Sequence, residues 1–119
     1  MLHFHLTQTG SRVDAYFDSE PERRNRLLSA FLNDMYDQEE LYLGELVRAE
    51  KGEPDVIVGN HGVWALMFSD KVILEEMLYG AERENGTDPA RTEITLGEAR
   101  QLILDWLAAK KRWYAEHAA

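Results

Sequence analysis

An amphipathic stretch near the carboxyl end places the strongest constraint on what this chain can fold into. Thr95 and Glu98 have the spacing of a capping box, in which two side chains accept backbone N–H groups at the start of a helix. The cations at 110–112 would stabilise the carboxyl end of its dipole. Apolar side chains recur between them at helical spacing: Ala99, Leu102, Ile103, Trp106 and Trp113. The pattern predicts a helix over about 96–116 that covers one face of a sheet.

A second helical pattern follows a proline in the first third of the chain. The run Ser19-Glu20-Pro21-Glu22 combines a Ser cap, a proline that the first helical turn tolerates, and a glutamate three residues after the cap. Apolar side chains then recur at the helical period: Leu27, Leu28, Phe31, Leu32 and Met35. The pattern predicts a helix over about 20–37. Residues 38–51 fit neither period cleanly, and their glutamates favour a second, short helix over a strand.

Several other segments have the composition and period of strands. Residues 2–17 alternate apolar and polar side chains on both sides of Thr9-Gly10-Ser11, which predicts an antiparallel hairpin. The polar stretch 80–91 is expected to be a loop. Three further runs are rich in β-branched and aromatic residues, at 56–58, 63–68 and 72–74.

Together these elements predict an α+β fold. We expect a mostly antiparallel sheet of four or five strands, with the two main helices at about 20–37 and 96–116 packed on it. A chain of 119 residues has the size of one compact domain, so residues 1–119 are expected to form a single domain. The 45% of hydrophobic and 29% of charged residues are typical of a globular protein.

Composition also restricts location and partners. The chain contains no cysteine, which rules out disulfides and indicates a reducing compartment. Its first ten residues lack the pattern of a signal peptide, and no stretch reaches the roughly 20 apolar residues that span a bilayer. We therefore expect a cytoplasmic protein. The net charge of −9 repels phosphate backbones and anionic lipids, so nucleic acid and membranes are not expected as partners.

Sequence motifs give no indication of catalysis. The chain has no nucleophile elbow, phosphate-binding loop or His-Glu-x-x-His zinc motif. The adjacent carboxylates Glu39 and Glu40 point in different directions on a helix or strand, which disfavours a general acid–base pair. His3, His5 and His61 lack a sequence-local Cys, Asp or Glu that would complete a recognisable metal site. We expect no enzymatic activity, no metal and no cofactor.

Acidic side chains gather at two places that could bind a basic protein. One cluster follows the first predicted helix, and the other lies in the polar loop: Asp34, Asp37, Glu39 and Glu40; Glu82, Glu84 and Asp88. Trp113 and Tyr114, beyond the centre of the last helix, are candidate aromatic anchors, whereas Trp106 is expected in the core. An acidic surface that only maintains solubility is an equally good interpretation of this charge.

The order of motifs over residues 41–107 resembles that of a known family. A Gly59-Asn60 pair leads into a strand, a hairpin passes through Val72-Ile73-Leu74-Glu75, and an acidic loop follows. The run Thr92-Glu93-Ile94-Thr95-Leu96-Gly97-Glu98 then opens a helix that contains Asp105-Trp106. This order resembles small bacterial immunity proteins of polymorphic toxin and contact-dependent growth inhibition systems. The resemblance implies a non-enzymatic inhibitor of one cognate toxin domain.

The predicted function is accordingly a protein-binding inhibitor of the immunity type. It would neutralise a basic, nuclease-like toxin domain through an acidic surface that mimics a nucleic-acid backbone. Contact residues differ among members of such families, so none is carried over, and His61 departs from the aromatic or small residue that usually follows the Gly-Asn pair. Two alternatives stay open: an adaptor or oligomerisation domain without a toxin partner, and a small-molecule-binding domain.

Overall fold

A computed structural model describes residues 2–117 of the chain. Its helices and strands follow in the order β1 (His5–Thr9), β2 (Arg12–Tyr16), α1 (Glu22–Asn33), α2 (Glu39–Glu50), β3 (Val56–Gly59), β4 (Val63–Met67), β5 (Lys71–Glu76), α3 (Gly80–Glu84), β6 (Arg91–Thr95) and α4 (Leu96–Glu116). The fold is α+β, as predicted. The strands do not form the single sheet of four or five strands that the sequence predicts. They form two antiparallel sheets, the hairpin β1–β2 and a four-stranded sheet in the order β3–β4–β5–β6.

Two helix predictions are confirmed. Helix α4 occupies the predicted span and begins with the expected capping box. The hydroxyl of Thr95 accepts the backbone N–H of Glu98 at 3.0 Å, and the carboxylate of Glu98 accepts the backbone N–H of Thr95 at 2.9 Å. Residues 38–51, ambiguous in sequence, contain helix α2.

Helix α1 is shorter than the predicted span of 20–37. It ends at Asn33, because the chain turns there and Tyr36 takes a left-handed backbone conformation with φ of +52°. The predicted Ser19 cap is not formed, since the helix starts after Pro21 without a side-chain cap. The side chain of Asn25 instead binds the backbone of Glu20, accepting from its N–H at 3.0 Å and donating to its carbonyl at 2.6 Å.

The carboxyl-terminal part of the sheet differs most from the prediction. Strand β6 lies where the sequence indicates the end of a loop and the opening of a helix, and the short helix α3 lies inside the predicted loop. Only one residue of β6, Ile94, is buried, so the strand shows little of the alternation by which strands are recognised. Its place in the sheet comes from backbone pairing with β5, in which Val72 is opposite Ile94.

Helices α1 and α4 lie between the two sheets. Helix α1 contacts strand β2 of the hairpin and also strands β4, β5 and β6, while α4 packs on α2, β2 and β6. Side chains on α1 attach the hairpin: the Asn33 amide accepts the N–H of Ala15 at 2.7 Å and donates to its carbonyl at 2.8 Å. The hydroxyl of Ser29 accepts the N–H of Phe17 at 3.0 Å. These side chains take the hydrogen bonds that a neighbouring strand would make, which explains the hairpin's separation from the larger sheet.

The buried residues form one hydrophobic cluster that draws on both sheets and on the three long helices. Trp106 of α4 is 2% exposed, as predicted, and its ring meets that of Phe4 edge-on at 5.9 Å. Phe4 precedes β1, so this contact joins the amino-terminal segment to the last helix. None of the helices within residues 2–117 has the combination of length and apolar character that crossing a membrane requires.

Candidate functional site

Asp34, one of the predicted partner-binding acids, lies inside the protein at 7% exposure. Its carboxylate accepts the backbone N–H groups of Asn60 at 3.1 Å, His61 at 2.9 Å and Gly62 at 3.2 Å. The side-chain amide of Asn60 donates in return to the backbone carbonyl of Asp34 at 2.6 Å. A buried carboxylate is stable only with such donors, so Asp34 holds the β3–β4 turn (60–62) against the corner between α1 and α2 (34–38).

Tyr42 of α2 is buried behind the β3–β4 turn. Burial raises the pKa of Tyr42 to about 12, and the negative charge of Asp34 adds to this shift. A hydrogen bond from the side-chain amide of Asn60 to the Tyr42 hydroxyl oxygen, at 3.3 Å, acts in the opposite direction. The phenol is therefore neutral at physiological pH and belongs to the support of the turn.

Glu39, a second predicted acid, is also buried. It forms an ion pair with Lys110 of α4, and its Oε1 atom has no other partner among residues 2–117. The ammonium of Lys110 also donates to the backbone carbonyl of Tyr36 at 2.6 Å and lies 5.2 Å from the centroid of the Trp106 ring. Lys110 thus attaches α4 to the corner between α1 and α2 at Tyr36, the residue with the left-handed backbone conformation.

Three other predicted residues meet in one groove at the surface. Asp37 and Glu40, beside the corner, line it together with Tyr114 of α4, and all three are exposed. Lys110 and Lys111 form part of the same wall, so the groove has charges of both signs. The structure therefore brings an acidic pair and one predicted aromatic anchor together from separate parts of the sequence.

Trp113, the other predicted anchor, has a different environment. It is partly buried against the core, and its ring stacks on that of His117 at 4.2 Å. The ring of Tyr114 meets it edge-on at 4.9 Å. Trp113 consequently supports the ring of Tyr114 and has less exposed surface with which to contact a partner.

A cleft of about 430 Å³ adjoins this groove and shares Asp37, Lys110 and Tyr114 with it. Further side chains reach the cleft from the hairpin, the corner, the β3–β4 turn and α4: Arg12, Asp14, Tyr36, His61 and Trp106. The charges of Arg12 and Asp14 are paired at 3.6 Å, and Lys110 is paired with Glu39. Most of the charged side chains in the cleft are thus neutralised by ion pairs with other side chains of the protein.

The second acidic cluster lies on and after α3. Glu82 and Glu84 belong to this short helix, Asp88 follows it, and all three are exposed. Helix α3 begins directly after Tyr79, whose hydroxyl donates to the backbone carbonyl of His61 at 2.6 Å. This hydrogen bond attaches the start of α3 to the β3–β4 turn.

Aromatic side chains connect the two acidic clusters. The ring of His61 meets that of Tyr36 edge-on at 5.8 Å, and the backbone of His61 holds Tyr79. Tyr36 is adjacent to Asp37 and is 52% exposed, while Tyr79 is 61% exposed. We name these three residues, Tyr36, His61 and Tyr79, the aromatic bridge.

Comparison with protein-family models, curated proteins and solved structures finds no match for this chain. Function is therefore inferred from the residues of the site. Exposed carboxylates beside exposed tyrosines are suited to a cationic protein surface, because tyrosine buries a large area on binding while its hydroxyl stays hydrogen-bonded.

Sequence reasoning missed Tyr36 and Tyr79 as candidate site residues. Each is a single tyrosine beside a turn and belongs to no periodic apolar pattern or motif. Only the hydrogen bonds and ring contacts of the folded chain place them next to His61. The sequence singles out His61 only as a histidine without a complete metal site and as a departure from the residue that usually follows the Gly-Asn pair. Its ring now has an aromatic neighbour, while its backbone serves both Asp34 and Tyr79.

The other histidines have separate environments. The Nε2 atom of His5 lies 3.0 Å from a carboxylate oxygen of Asp18, and His117 stacks on Trp113. Within the part of the chain that the structure describes, no three His, Cys, Asp or Glu side chains are grouped as a metal site would require.

Proposed function

We propose that this protein is a non-enzymatic, protein-binding inhibitor of the immunity type, which neutralises a basic toxin domain. The proposed contact surface consists of the aromatic bridge, Tyr114 and the exposed acids of both clusters: Asp37, Glu40, Glu82, Glu84 and Asp88. One observation supports this proposal above the others. The aromatic bridge connects two acidic clusters that are far apart in the sequence. The inhibitor would act in the cytoplasm, in keeping with the absence of cysteine.

Electrostatics would govern the encounter with the partner. The five acids are exposed, and the chain as a whole has a net charge of −9, so a cationic surface is attracted from beyond contact distance. Such steering accelerates association by roughly 10- to 1000-fold and weakens steeply as salt screens the charges. Specificity for a basic partner would arise largely at this stage.

Affinity would depend on a few anchors. Tyr36, Tyr79 and Tyr114 are exposed aromatic residues within or beside the acidic surface, and tyrosine is enriched among residues that dominate binding energy. Lys110 holds the backbone carbonyl of Tyr36, and the hydroxyl of Tyr79 is held by the backbone carbonyl of His61, so both residues are positioned before a partner binds. Such preorganisation reduces the entropy lost on binding.

Asp34 and Glu39 have a supporting role in this proposal. Their carboxylates are buried and bind the β3–β4 turn and Lys110. They would determine the shape of the contact surface without touching the partner. Trp113 would act in the same way through its edge-on contact with Tyr114.

The test is to measure binding to the product of the neighbouring gene, which in a toxin–immunity pair encodes the toxin-bearing protein. Association rates are recorded at several salt concentrations for the wild type and for two charge-reversed variants, Asp37→Lys/Glu40→Lys and Glu82→Lys/Glu84→Lys. We expect association to slow by at least about tenfold between low and high salt, and charge reversal to remove most of this dependence.

Asp70→Lys is the matched control for charge reversal. Asp70 is an exposed acid in the β4–β5 turn, at the opposite end of β4 from the β3–β4 turn, so its reversal should have little effect on association. Tyr36→Ala and Tyr79→Ala should act on dissociation, accelerating it by about tenfold or more. The proposal fails if the two proteins do not bind, or if association responds neither to salt nor to charge reversal at either cluster.

The cleft favours small-molecule binding as a second candidate function. Its volume of about 430 Å³ lies in the range of ligand sites, and it is lined by aromatic and polar side chains. Its ion pairs Arg12–Asp14 and Lys110–Glu39 argue for the protein partner, because they leave few charges free for a ligand. A thermal-shift screen of cellular metabolites tests the second candidate. A metabolite that binds in the cleft should raise the melting temperature of the wild type and not that of an Asp14→Ala variant, because Asp14 lines the cleft.

A further inference from the structure

One face of the four-stranded sheet has no helix packed on it. Along β4, Val63, Ala65 and Met67 are buried beneath the helices, and the residues between them point to the other side. The outward positions of β3, β4 and β5 share that side, which has five large apolar residues: Ile57, Trp64, Leu66, Phe68 and Ile73. We name these five residues the outer apolar face.

The strand register makes this face continuous. Ile57 is paired with Leu66, and Leu66 with Ile73, so three apolar side chains form a row across three strands. Trp64 lies beside the row, opposite Gly59. A Cβ atom on Gly59 would lie 2.6 Å from the Met77 side chain and 2.7 Å from the Trp64 ring, so these two side chains occupy the space that a side chain on β3 would need. Ile57 is 52% and Trp64 is 42% exposed.

The charges at the border of the outer apolar face cancel one another. On the outward positions of β5 and β6, Arg91 is paired with Glu75 at 3.1 Å, and Lys71 with Glu93 at 3.6 Å. The outward positions of β3 and β4 have no charged side chain. The charges at the outward strand positions on this side therefore sum to zero, although the whole chain has a net charge of −9.

We propose that the outer apolar face binds a second copy of this chain. Two molecules of charge −9 repel each other, and the repulsion is smallest when they approach through an uncharged surface. A basic partner would gain nothing from a neutral side and is attracted to the acidic clusters. An exposed apolar surface of this kind, with a tryptophan within it, is typical of an interface.

The dimer has a simple geometry. A two-fold axis places the same face on both sides, so the Ile57–Leu66–Ile73 row of one copy packs against that of the other. The two sheets then lie about 10 Å apart, at the angle of about 30° usual for stacked sheets. Four strands of about five residues offer several hundred Å² per copy, less than the roughly 800 Å² per partner of a standard interface. Self-association is therefore weak and depends on concentration.

Sedimentation equilibrium between roughly 10 µM and 1 mM tests this inference. We expect the average mass of the wild type to rise from that of the monomer towards that of the dimer over this range. Trp64→Lys and Ile73→Lys place a charge inside the outer apolar face and should each shift the dissociation constant upward by at least tenfold. Leu104→Lys is the control, because Leu104 is an exposed apolar residue on α4, outside this face, and its variant should associate like the wild type.

Salt separates this contact from the acidic surface proposed above. Association through an apolar face should stay constant or strengthen with increasing salt, whereas binding of a basic partner should weaken. A wild type that remains monomeric at the highest concentration overturns the inference. So does a dimer that persists in both lysine variants, and so does one that dissociates as salt is raised. Circular dichroism confirms that each variant is folded.

Discussion

Both carboxylate oxygens of Asp34 lie 2.9 Å from the backbone nitrogen of His61. The same carboxylate accepts the N–H groups on either side, from Asn60 and Gly62, so one buried charge serves three consecutive amides. Amides of a turn have no strand partner, and a buried one without an acceptor is costly. Asp34 therefore decides the position of the turn that supplies His61 to the aromatic bridge.

Replacing Asp34 by Asn should destabilise the protein by about 2–3 kcal/mol, because the three amides lose a charged acceptor and the new NH₂ group has no acceptor of its own. Urea denaturation at neutral pH gives the free energy of unfolding. Asp37→Asn is the matched control, since the Asp37 side chain is fully exposed and its change should stay within about 0.5 kcal/mol. Equal effects of the two substitutions would contradict the role given to Asp34.

Lys110→Met should lower the free energy of unfolding by about 3–5 kcal/mol, because the carboxylate of Glu39 would stay buried without a counter-ion. Methionine keeps most of the length of the side chain, so the effect arises from the missing ammonium, which pairs with Glu39 and also donates to the carbonyl of Tyr36. Lys111→Met removes an exposed charge one residue further along α4 and should change stability by less than about 0.5 kcal/mol. A Lys110→Met variant as stable as the Lys111→Met variant would mean that this ion pair makes no net contribution.

Trp106→Ala should cost about 3–5 kcal/mol, since it opens a large cavity between α4 and Phe4. Trp106→Phe should cost clearly less, about 1–2 kcal/mol, because an aromatic ring remains and no hydrogen bond is lost. The indole N–H of Trp106 has no acceptor among residues 2–117. Chemical-denaturation midpoints of the two variants check this order, and an unchanged midpoint for Trp106→Ala would show that this side chain is not a core anchor.

Stability should fall at alkaline pH through Tyr42. Its pKa is about 12 in the folded protein and about 10 in an unfolded chain, so folding favours the neutral phenol. The stabilisation is complete below about pH 10 and is lost between about pH 10 and 12, at a cost of roughly 2–3 kcal/mol. Unfolding curves from pH 8 to about 12 should show this extra loss in the wild type and not in Tyr42→Phe, in which all other groups titrate as before. Parallel pH profiles for the two proteins would contradict it.

Local patterns in the sequence were sufficient for the elements that have a strong period or a cap. Helix α4 follows from the Thr95–Glu98 capping box and one apolar stripe, both of which depend on residues within a few turns of one another. The hairpin β1–β2 follows from alternation on both sides of a turn, and strands β3–β5 follow from runs rich in β-branched and aromatic residues. Strand β6 does not, because it has one buried residue and depends on hydrogen bonds to β5, far away in the sequence.

The candidate site also combines features that the sequence predicts with features that depend on the folded structure. The chain's own composition determined that the surface is acidic and that the last helix has aromatic residues near its end. Only the tertiary structure decided which acids are exposed: Asp34 precedes Asp37 by three residues and Glu39 is next to Glu40, yet the first of each pair is buried and the second exposed. The physical reason is that a carboxylate enters the interior only where donors from distant segments meet it. Those donors, the backbone of residues 60–62 and the ammonium of Lys110, reach the acids only when the chain folds.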